Sequence, residues 1–175
     1  MAPVIGVELS PVGSVADRGC MMSNAIAAMD GEGVVTAGQR YLIFELANSE
    51  YGIAVLDVRE IIGLQPVTSM PRRSPFVVGL VNVRATAIPV IDIRAQFGLG
   101  ATQHTVDTCI IIVESSVVTA GLLADRVLEV RLIADDMLDP APSLGTDEHG
   151  DVVLAVATTN DNVTMLLDVE KILAQ

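Results

Sequence analysis

Short aliphatic segments, each about as long as a single strand, recur along most of the chain and are separated by polar turn residues. Their side chains are mainly Val, Ile, Leu and Ala, since aromatic residues make up only 3% of the sequence and Trp is absent. β-Branched side chains favour strands over helices, and many short strands with polar turns are typical of barrels and sandwiches. The sequence therefore predicts a mainly β fold.

The shortness of these segments argues against a membrane-spanning chain, although the mean hydropathy is +0.54. A spanning helix needs roughly 20 apolar residues, and uncharged stretches such as residues 61–71 are much shorter. No basic residue precedes Arg18, so the first residues lack the charged start of a secretory signal. We expect a cytoplasmic protein with no direct membrane insertion.

Charge and metal-binding residue types exclude further classes of function. The net charge of −12 is unsuited to nucleic acid, which requires a clustered basic surface. The 2 Cys and 2 His are well separated, so neither a disulfide framework nor a metal centre is expected. We predict no cofactor, and Cys109 within TCIIIV is expected to pack as a small core residue.

The chain divides into a predicted flexible N-terminal extension, residues 1–38, and one folded domain, residues 39–175. The extension has scattered Gly, Ser and Ala with weak periodicity. At the start of the domain, RYLIFEL and YGIAV predict a hairpin, with Leu42, Phe44 and Leu46 on one face of its first strand.

Further along, LDVREII places Val58, Ile61 and Ile62 at helical spacing and predicts a short helix. GLVNV and TAIPVIDI predict the next two strands, and Pro89, which lacks a backbone donor, predicts an edge, a bulge or a strand start. TCIIIV and SSVVTAGLLA predict two more strands, DVVLAVATT and NVTMLLDV a closing hairpin, and VEKILA a short C-terminal helix.

A weak internal repeat suggests two related halves. The two halves share one spacing: Gly52 is followed by Val58, Glu60 and Ile61, and Gly121 by Val127, Glu129 and Val130. Both segments run from a strand into an element with one Glu between apolar neighbours. Two subdomains are therefore suggested.

Catalytic motifs are absent from the sequence. It contains no glycine-rich phosphate loop and no G-x-S-x-G elbow. Asp135, Asp136 and Asp139 cluster without the alternating ligands and turn glycine of a calcium loop, so they predict a solvated loop. An enzyme that uses Asp92 or another acid is the less favoured alternative, and it would require a deep polar pocket around a carboxylate of shifted pKa.

The stretch GLVNVRATAIPVIDIR places Arg84 between two apolar runs. A core seldom holds an arginine without a partner, so Arg84 is either held by a core acid or points outward as part of a site. Strand-rich domains commonly bind through exposed edges and shallow grooves, where apolar side chains give affinity and charges fix register. Val58, Ile62 and Val83 beside Glu60 and Arg84 fit such a surface; the alternative is core aliphatics with merely solvated charges.

Two longer runs carry a specific resemblance. YLIFELANSEYGIAVLDVREIIG and GLVNVRATAIPVIDIRAQFGL contain the patterns Y-G-I-x-V…V-x-E-I and G-x-x-N-[LV]-R-x-x-x-x-P-V-I-D-[LI]-R in this order. Over residues 38–174 the chain resembles the CheW family of bacterial chemotaxis coupling proteins. The resemblance implies two small five-stranded SH3-like β-barrel subdomains, intertwined around a shared hydrophobic core, with short helices including a C-terminal one.

The resemblance also implies a non-enzymatic scaffold that couples the cytoplasmic tip of methyl-accepting chemoreceptors to the histidine kinase CheA, through the CheW-like regulatory domain of that kinase. Such a protein is cytoplasmic and recruited to membrane-associated receptor arrays. By motif position, four residues match family residues implicated in receptor or kinase coupling: Val58, Glu60, Gly79 and Arg84. Asn82 is added to this protein-binding set, because it is expected to shape the approach to Arg84 together with Gly79. Glu60 and Arg84 would be charged contacts, Val58 an apolar neighbour, and Gly79 would allow close backbone approach. An adapter of a related non-flagellar pathway, such as twitching motility, is an alternative.

One position departs from the family pattern, because Ala85 stands where the family usually has Gly after the motif arginine. If this position needs a positive φ, Ala is strained there by about 1 kcal/mol or more. Otherwise the turn differs, or the usual glycine serves clearance. We expect Arg84 at the mouth of a groove, and Asp92 as a structural acid that orients the strand pair through a main-chain or arginine hydrogen bond.

Overall fold

The computed structural model describes residues 38–71, 74–100, 103–141, 152–159 and 162–174. Two predicted features lie wholly or largely outside these residues: the N-terminal extension and the turn of the closing hairpin. Asp135, Asp136 and Asp139 are exposed, as predicted, but they do not form an irregular loop, because the first two lie in a 3-10 turn and Asp139 lies in a short strand. The described strands are β1 (Gly38–Leu46), β2 (Ser49–Ala54), β3 (Val58–Gly63), β4 (Val77–Val83), β5 (Thr86–Asp92), β6 (Cys109–Glu114), β7 (Thr119–Ala124), β8 (Arg126–Ala134), β9 (Leu138–Pro140), β10 (Val153–Thr159) and β11 (Asn162–Leu167). Two short helices, α1 (Ile93–Gln96) and α2 (Val169–Leu173), and two 3-10 turns, Val55–Asp57 and Asp135–Met137, complete the described elements.

The strands form a six-stranded sheet in the order β8-β1-β2-β11-β10-β9 and a five-stranded sheet in the order β3-β6-β7-β5-β4. The prediction of a mainly β fold is confirmed. Each sheet combines a hairpin from one half of the chain with later strands from the other half. The two halves are therefore interleaved and not stacked as separate units.

The suggested internal repeat is visible in the strand pairing. β2 pairs antiparallel with β1 and parallel with β11, and β7 likewise pairs antiparallel with β6 and parallel with β5. Gly52 and Gly121 hold equivalent places in the two parallel ladders, opposite Leu166 and Val90. The next strands, β3 and β8, are both edge strands of the sheet to which the preceding hairpin does not belong.

The helix predicted over LDVREII is wrong, because Val58–Gly63 is the edge strand β3. The register with β6 shifts between Val58 and Glu60, which marks a β-bulge with one extra residue in β3. Val58 and Ile61 consequently pack against the same cluster of buried side chains. The bulge thus reproduces the three-residue spacing that ordinarily indicates a helix.

Pro89 lies within β5, an interior strand, and not at an edge, bulge or strand start as predicted. On one side it faces Leu80 of β4, whose backbone N–H and C=O are instead bonded to Thr68. On the other side, pairing with β7 begins only at Val90. The strand tolerates proline because no neighbouring acceptor requires the missing N–H.

The largest cluster of buried side chains, here called the shared core, joins both sheets and the C-terminal helix. Leu42, Phe44 and Leu46 lie in it, as predicted, with Ile111 of the five-stranded sheet and Ile172 of α2. Cys109 also lies here, and burial raises the pKa of its thiol to about 11, as expected for a core residue. Each sheet has in addition a smaller cluster of its own.

Candidate functional site

An ion pair spans the two edge strands of the five-stranded sheet. Glu60 lies on β3, Arg84 lies in the turn after β4, and an Nη of Arg84 donates to Oε2 of Glu60 over 3.1 Å. Because β3 and β4 are at opposite ends of the strand order, this contact requires the sheet to curl until its edges face each other. The curl is what brings together two residues from separate motifs.

The turn that carries Arg84 is a two-residue hairpin loop, since Val83 and Thr86 are the last paired residues of β4 and β5. Arg84 has φ 49° and Ala85 has φ 66°, as a type I′ turn requires. The position after the arginine therefore does need a positive φ. Ala85 is strained there by about 1 kcal/mol, and a glycine would supply conformational freedom.

The two members of the ion pair differ in exposure. The Arg84 side chain is 83% exposed, whereas that of Glu60 is 17% exposed. Arg84 thus points outward, and its acid partner lies at the sheet edge and not in the core. An exposed pair contributes little to stability, typically less than about 1 kcal/mol. The arrangement instead presents an accessible guanidinium whose position is set by a largely covered carboxylate.

The remaining predicted site residues differ in how far they are exposed to solvent. Asn82 is exposed on β4, two positions before Arg84. Val58 is half-buried and packs against the shared core. Gly79 is buried, and the backbone that closely approaches it belongs to Thr68 of the same chain. Glu60, Asn82 and Arg84 therefore present polar groups near the facing edges of the sheet, while Gly79 lies beneath residue 68.

Asp92 makes the main-chain hydrogen bond that was one of its predicted alternatives. Its Oδ1 accepts from the N–H of Arg94 over 2.9 Å and caps α1. The carboxylate does not join β4 to β5. It is the backbone N–H of Asp92 that does so, because it donates to the carbonyl of Phe76, directly before β4, over 2.9 Å. The carboxylate is thereby occupied in a helix cap.

An open depression of about 600 Å³ has a lining that includes Glu45, Asn48, Arg94, Asp107, Asp125 and Arg126. None of the five predicted site residues is among them. Two of its carboxylates form ion pairs: Asp125 pairs with Arg94 at 3.1 Å and Glu45 with Arg126 at 2.8 Å. The Ala47 N–H also donates to Asp125 over 2.9 Å. The sequence offered no signal for this network, because its members come from distant segments with no motif spacing.

The six-stranded sheet has a polar network at the position equivalent to Glu60. Nε of Arg131 donates to Glu129 over 2.7 Å, and Nη1 donates to Glu50 over 3.1 Å. Nη1 also donates to the buried Thr164 over 3.3 Å, and Thr164 donates to Glu50 over 2.9 Å. Burial lowers the pKa of Arg131, but the hydrogen bonds to Glu129 and Glu50 outweigh it and raise that pKa above its ordinary value.

Two further properties concern the described residues alone. In those ranges, no helix combines the length and apolar character needed to cross a bilayer. The described side chains also include no group of three or more His, Cys, Asp and Glu arranged to hold a metal ion.

Known proteins and a known domain family match most of the chain. The model of the CheW-like domain matches residues 40–175. The chemotaxis protein CheW of Klebsiella aerogenes is 30% identical over 139 residues, which cover 79% of this chain and 84% of that protein. FrzA of Myxococcus xanthus is 27% identical over 137 residues, covering 77% and 85% of the two chains.

A solved structure agrees with the same assignment. The crystal structure of scaffolding protein TtCheW from Thermoanaerobacter tengcongensis superposes with a TM-score of 0.71 at 31% identity, and covers 79% of this chain and 90% of that one. The matched domain model spans both sheets, both motif runs and the C-terminal helix. The chain therefore belongs to the CheW-like domain family.

Proposed function

We propose that this protein is a non-enzymatic adapter that couples the cytoplasmic tip of methyl-accepting chemoreceptors to the histidine kinase CheA. It would act in the cytoplasm at membrane-associated receptor arrays and pair with the regulatory domain of the kinase. The proposal is supported by family membership and by relatives named as chemotaxis proteins CheW.

The observation that carries the proposal is the Glu60–Arg84 pair. It combines a guanidinium that is 83% exposed with a backbone held in a two-residue turn. Fixed exposed charges of this kind set register and orientation at protein interfaces more than they stabilise the fold. Val58 and Asn82 on the same two strands would supply apolar and polar contacts beside the pair.

The test compares two charge reversals of the same kind. Arg84→Glu breaks the ion pair with Glu60 on the five-stranded sheet, and Arg126→Glu breaks the ion pair with Glu45 on the six-stranded sheet. Binding of each purified variant to a receptor-tip fragment and to a CheA regulatory domain is measured by calorimetry. We expect Arg84→Glu to weaken binding to at least one partner by about tenfold or more, and Arg126→Glu to leave that affinity within about twofold.

Two outcomes contradict the proposal. If binding to both partners survives Arg84→Glu, the role given to this arginine is wrong. If the wild-type protein binds neither a receptor tip nor a kinase regulatory domain, the adapter function itself is wrong.

A second candidate is an adapter of a non-flagellar chemosensory pathway, which the similarity to FrzA of Myxococcus xanthus favours. The same surface would then engage the kinase and receptor of that pathway. Affinities for purified kinase regulatory domains from flagellar and non-flagellar systems of the source organism distinguish the two, because the cognate domain should bind at least about tenfold more tightly.

A further inference from the structure

Gly79 faces the interior of the protein and is covered by a segment of the same chain. A Cβ atom added at Gly79 would overlap the carbonyl oxygen of Thr68 and lie 2.7 Å from Cγ1 of Val67. Real Cβ atoms essentially never approach non-bonded atoms this closely, and backbone cannot rotate away as a flexible side chain can. The absence of a side chain at Gly79 therefore makes room for residues 67 and 68.

These two residues belong to residues 64–70, the first part of the connection between β3 and β4, here called the bridging segment. The Thr68 N–H donates to the carbonyl of Leu80 over 2.8 Å, and the Leu80 N–H donates to the carbonyl of Thr68 over 2.9 Å. Thr68 thus pairs with β4 in an isolated antiparallel bridge. Val67 packs against the buried cluster formed by side chains such as Val81 and Val83.

The bridging segment lies between the two halves of the candidate site along the chain. It begins directly after β3, which carries Glu60, and it is bonded to β4, whose following turn carries Arg84. The edges of the five-stranded sheet are therefore joined twice, by the backbone bridge at Thr68 and by the ion pair. Of these two links, the bridge is the stronger, since an exposed ion pair alone does not hold two strands together.

We infer that the bridging segment is a positioning element for the docking surface, and that Gly79 is a positioning residue acting through it. Thr68 fixes the separation of β3 and β4, Gly79 provides the space which that bridge needs, and the separation sets the Glu60–Arg84 geometry. A side chain at Gly79 displaces Thr68 and disturbs Arg84 without touching a partner. This inference rests on the proposed function for its effect on binding, whereas its structural part concerns the free protein.

The experiment uses three variants of the full chain, and a fourth, Arg84→Gln, gives the reference signal of Glu60 without the ion pair. Gly79→Ala displaces the bridging segment by placing a methyl group against the carbonyl of Thr68. Thr68→Pro removes the N–H that donates to the carbonyl of Leu80 and leaves the sequence of β4 unchanged. Gly63→Ala on β3 is the matched control, because a Cβ there meets no atom within 4 Å. In the free protein, amide hydrogen exchange at Leu80 reports the bridge, and the carboxyl carbon resonance of Glu60 reports the ion pair. Affinity for the receptor-tip fragment is measured on the same samples.

We expect Gly79→Ala and Thr68→Pro each to accelerate Leu80 exchange by about tenfold or more. Both should shift the Glu60 resonance toward its value in Arg84→Gln and weaken receptor-tip binding by about tenfold. Gly63→Ala should leave all three measurements unchanged.

The inference is overturned if Gly79→Ala weakens binding while Leu80 exchange and the Glu60 resonance stay as in the wild type, since Gly79 would then contact the partner directly. It is also overturned if Thr68→Pro opens the bridge but leaves Glu60 unchanged. Failure of the wild-type protein to bind any receptor tip contradicts the proposed function instead, and the two measurements on the free protein still decide the inference.

Discussion

The two halves of the chain place a glutamate at the same point of equivalent strands but surround it differently. Glu60 follows the bulge of β3, and Glu129 follows the corresponding irregularity of β8. Glu60 bonds to Arg84, whose side chain is 83% exposed. Glu129 bonds to Arg131, whose side chain is 20% exposed and which also bonds to Glu50.

This difference shows how one backbone arrangement serves two purposes. An arginine held by several acceptors and largely shielded from water stabilises the six-stranded sheet. An arginine with one acceptor and a mostly hydrated side chain adds little stability but is accessible to another protein. We therefore propose the surface around Arg84 on the five-stranded sheet as the one that docks a partner.

The largest difference in stability is expected when each of the two arginines is replaced in turn. Arg131→Met leaves Glu50 and Glu129 without their cation and should lower the free energy of unfolding by about 2 kcal/mol. Arg84→Met should lower it by less than about 1 kcal/mol. Urea denaturation of the two variants measures both values, and equal losses would remove the distinction between the two networks.

The next largest difference in stability is expected between alanine substitutions at the equivalent glycines of the two parallel ladders. A Cβ at Gly121 would lie 2.5 Å from Cγ2 of Ile110, a methyl group fixed close to the backbone. At Gly52 it would lie 2.8 Å from Cδ2 of Leu166, at the end of a longer side chain that can move. Gly121→Ala should therefore cost about 2 kcal/mol and Gly52→Ala about 1 kcal/mol, and thermal unfolding in the reverse order would contradict the packing described.

The smallest difference in stability is expected between glycine substitutions in the two two-residue hairpin loops. Asn48 has φ 63° and Ala85 has φ 66°, but Asn tolerates this conformation far better than Ala. Ala85→Gly should stabilise the protein by about 1 kcal/mol, whereas Asn48→Gly should change its stability by a few tenths of a kcal/mol at most. Similar gains from both substitutions, measured by urea denaturation, would show that Ala85 is not strained.

Much of the fold could be predicted because its strands obey simple periodicity. Leu42, Phe44 and Leu46 alternate along β1, and their common face does pack in the shared core. β3 escaped prediction because a bulge broke its alternation, and Pro89 was misplaced because the backbone groups of Leu80 turn toward Thr68. Both errors arise from local pairing that no window of side chains reveals.

The candidate site was also only partly predictable from the sequence. Motif resemblance singled out Glu60 and Arg84, but only the curling of the sheet shows that they touch. The role of Thr68 left no signal in the sequence, since an isolated backbone bridge depends on no particular side chain. Gly79 drew attention through its motif, while the residue that makes it necessary did not.

The most direct test of the docking role is a charge exchange, Glu60→Arg combined with Arg84→Glu. The exchange permits the ion pair to form again in the free protein but reverses the charge presented to a partner. Affinity for the receptor-tip fragment and the kinase regulatory domain is compared with that of the wild type and of Arg84→Glu. A docking role predicts that the exchanged variant stays at least about tenfold weaker for the partner that Arg84→Glu affects. Recovery of wild-type affinity would show that the pair only supports the fold.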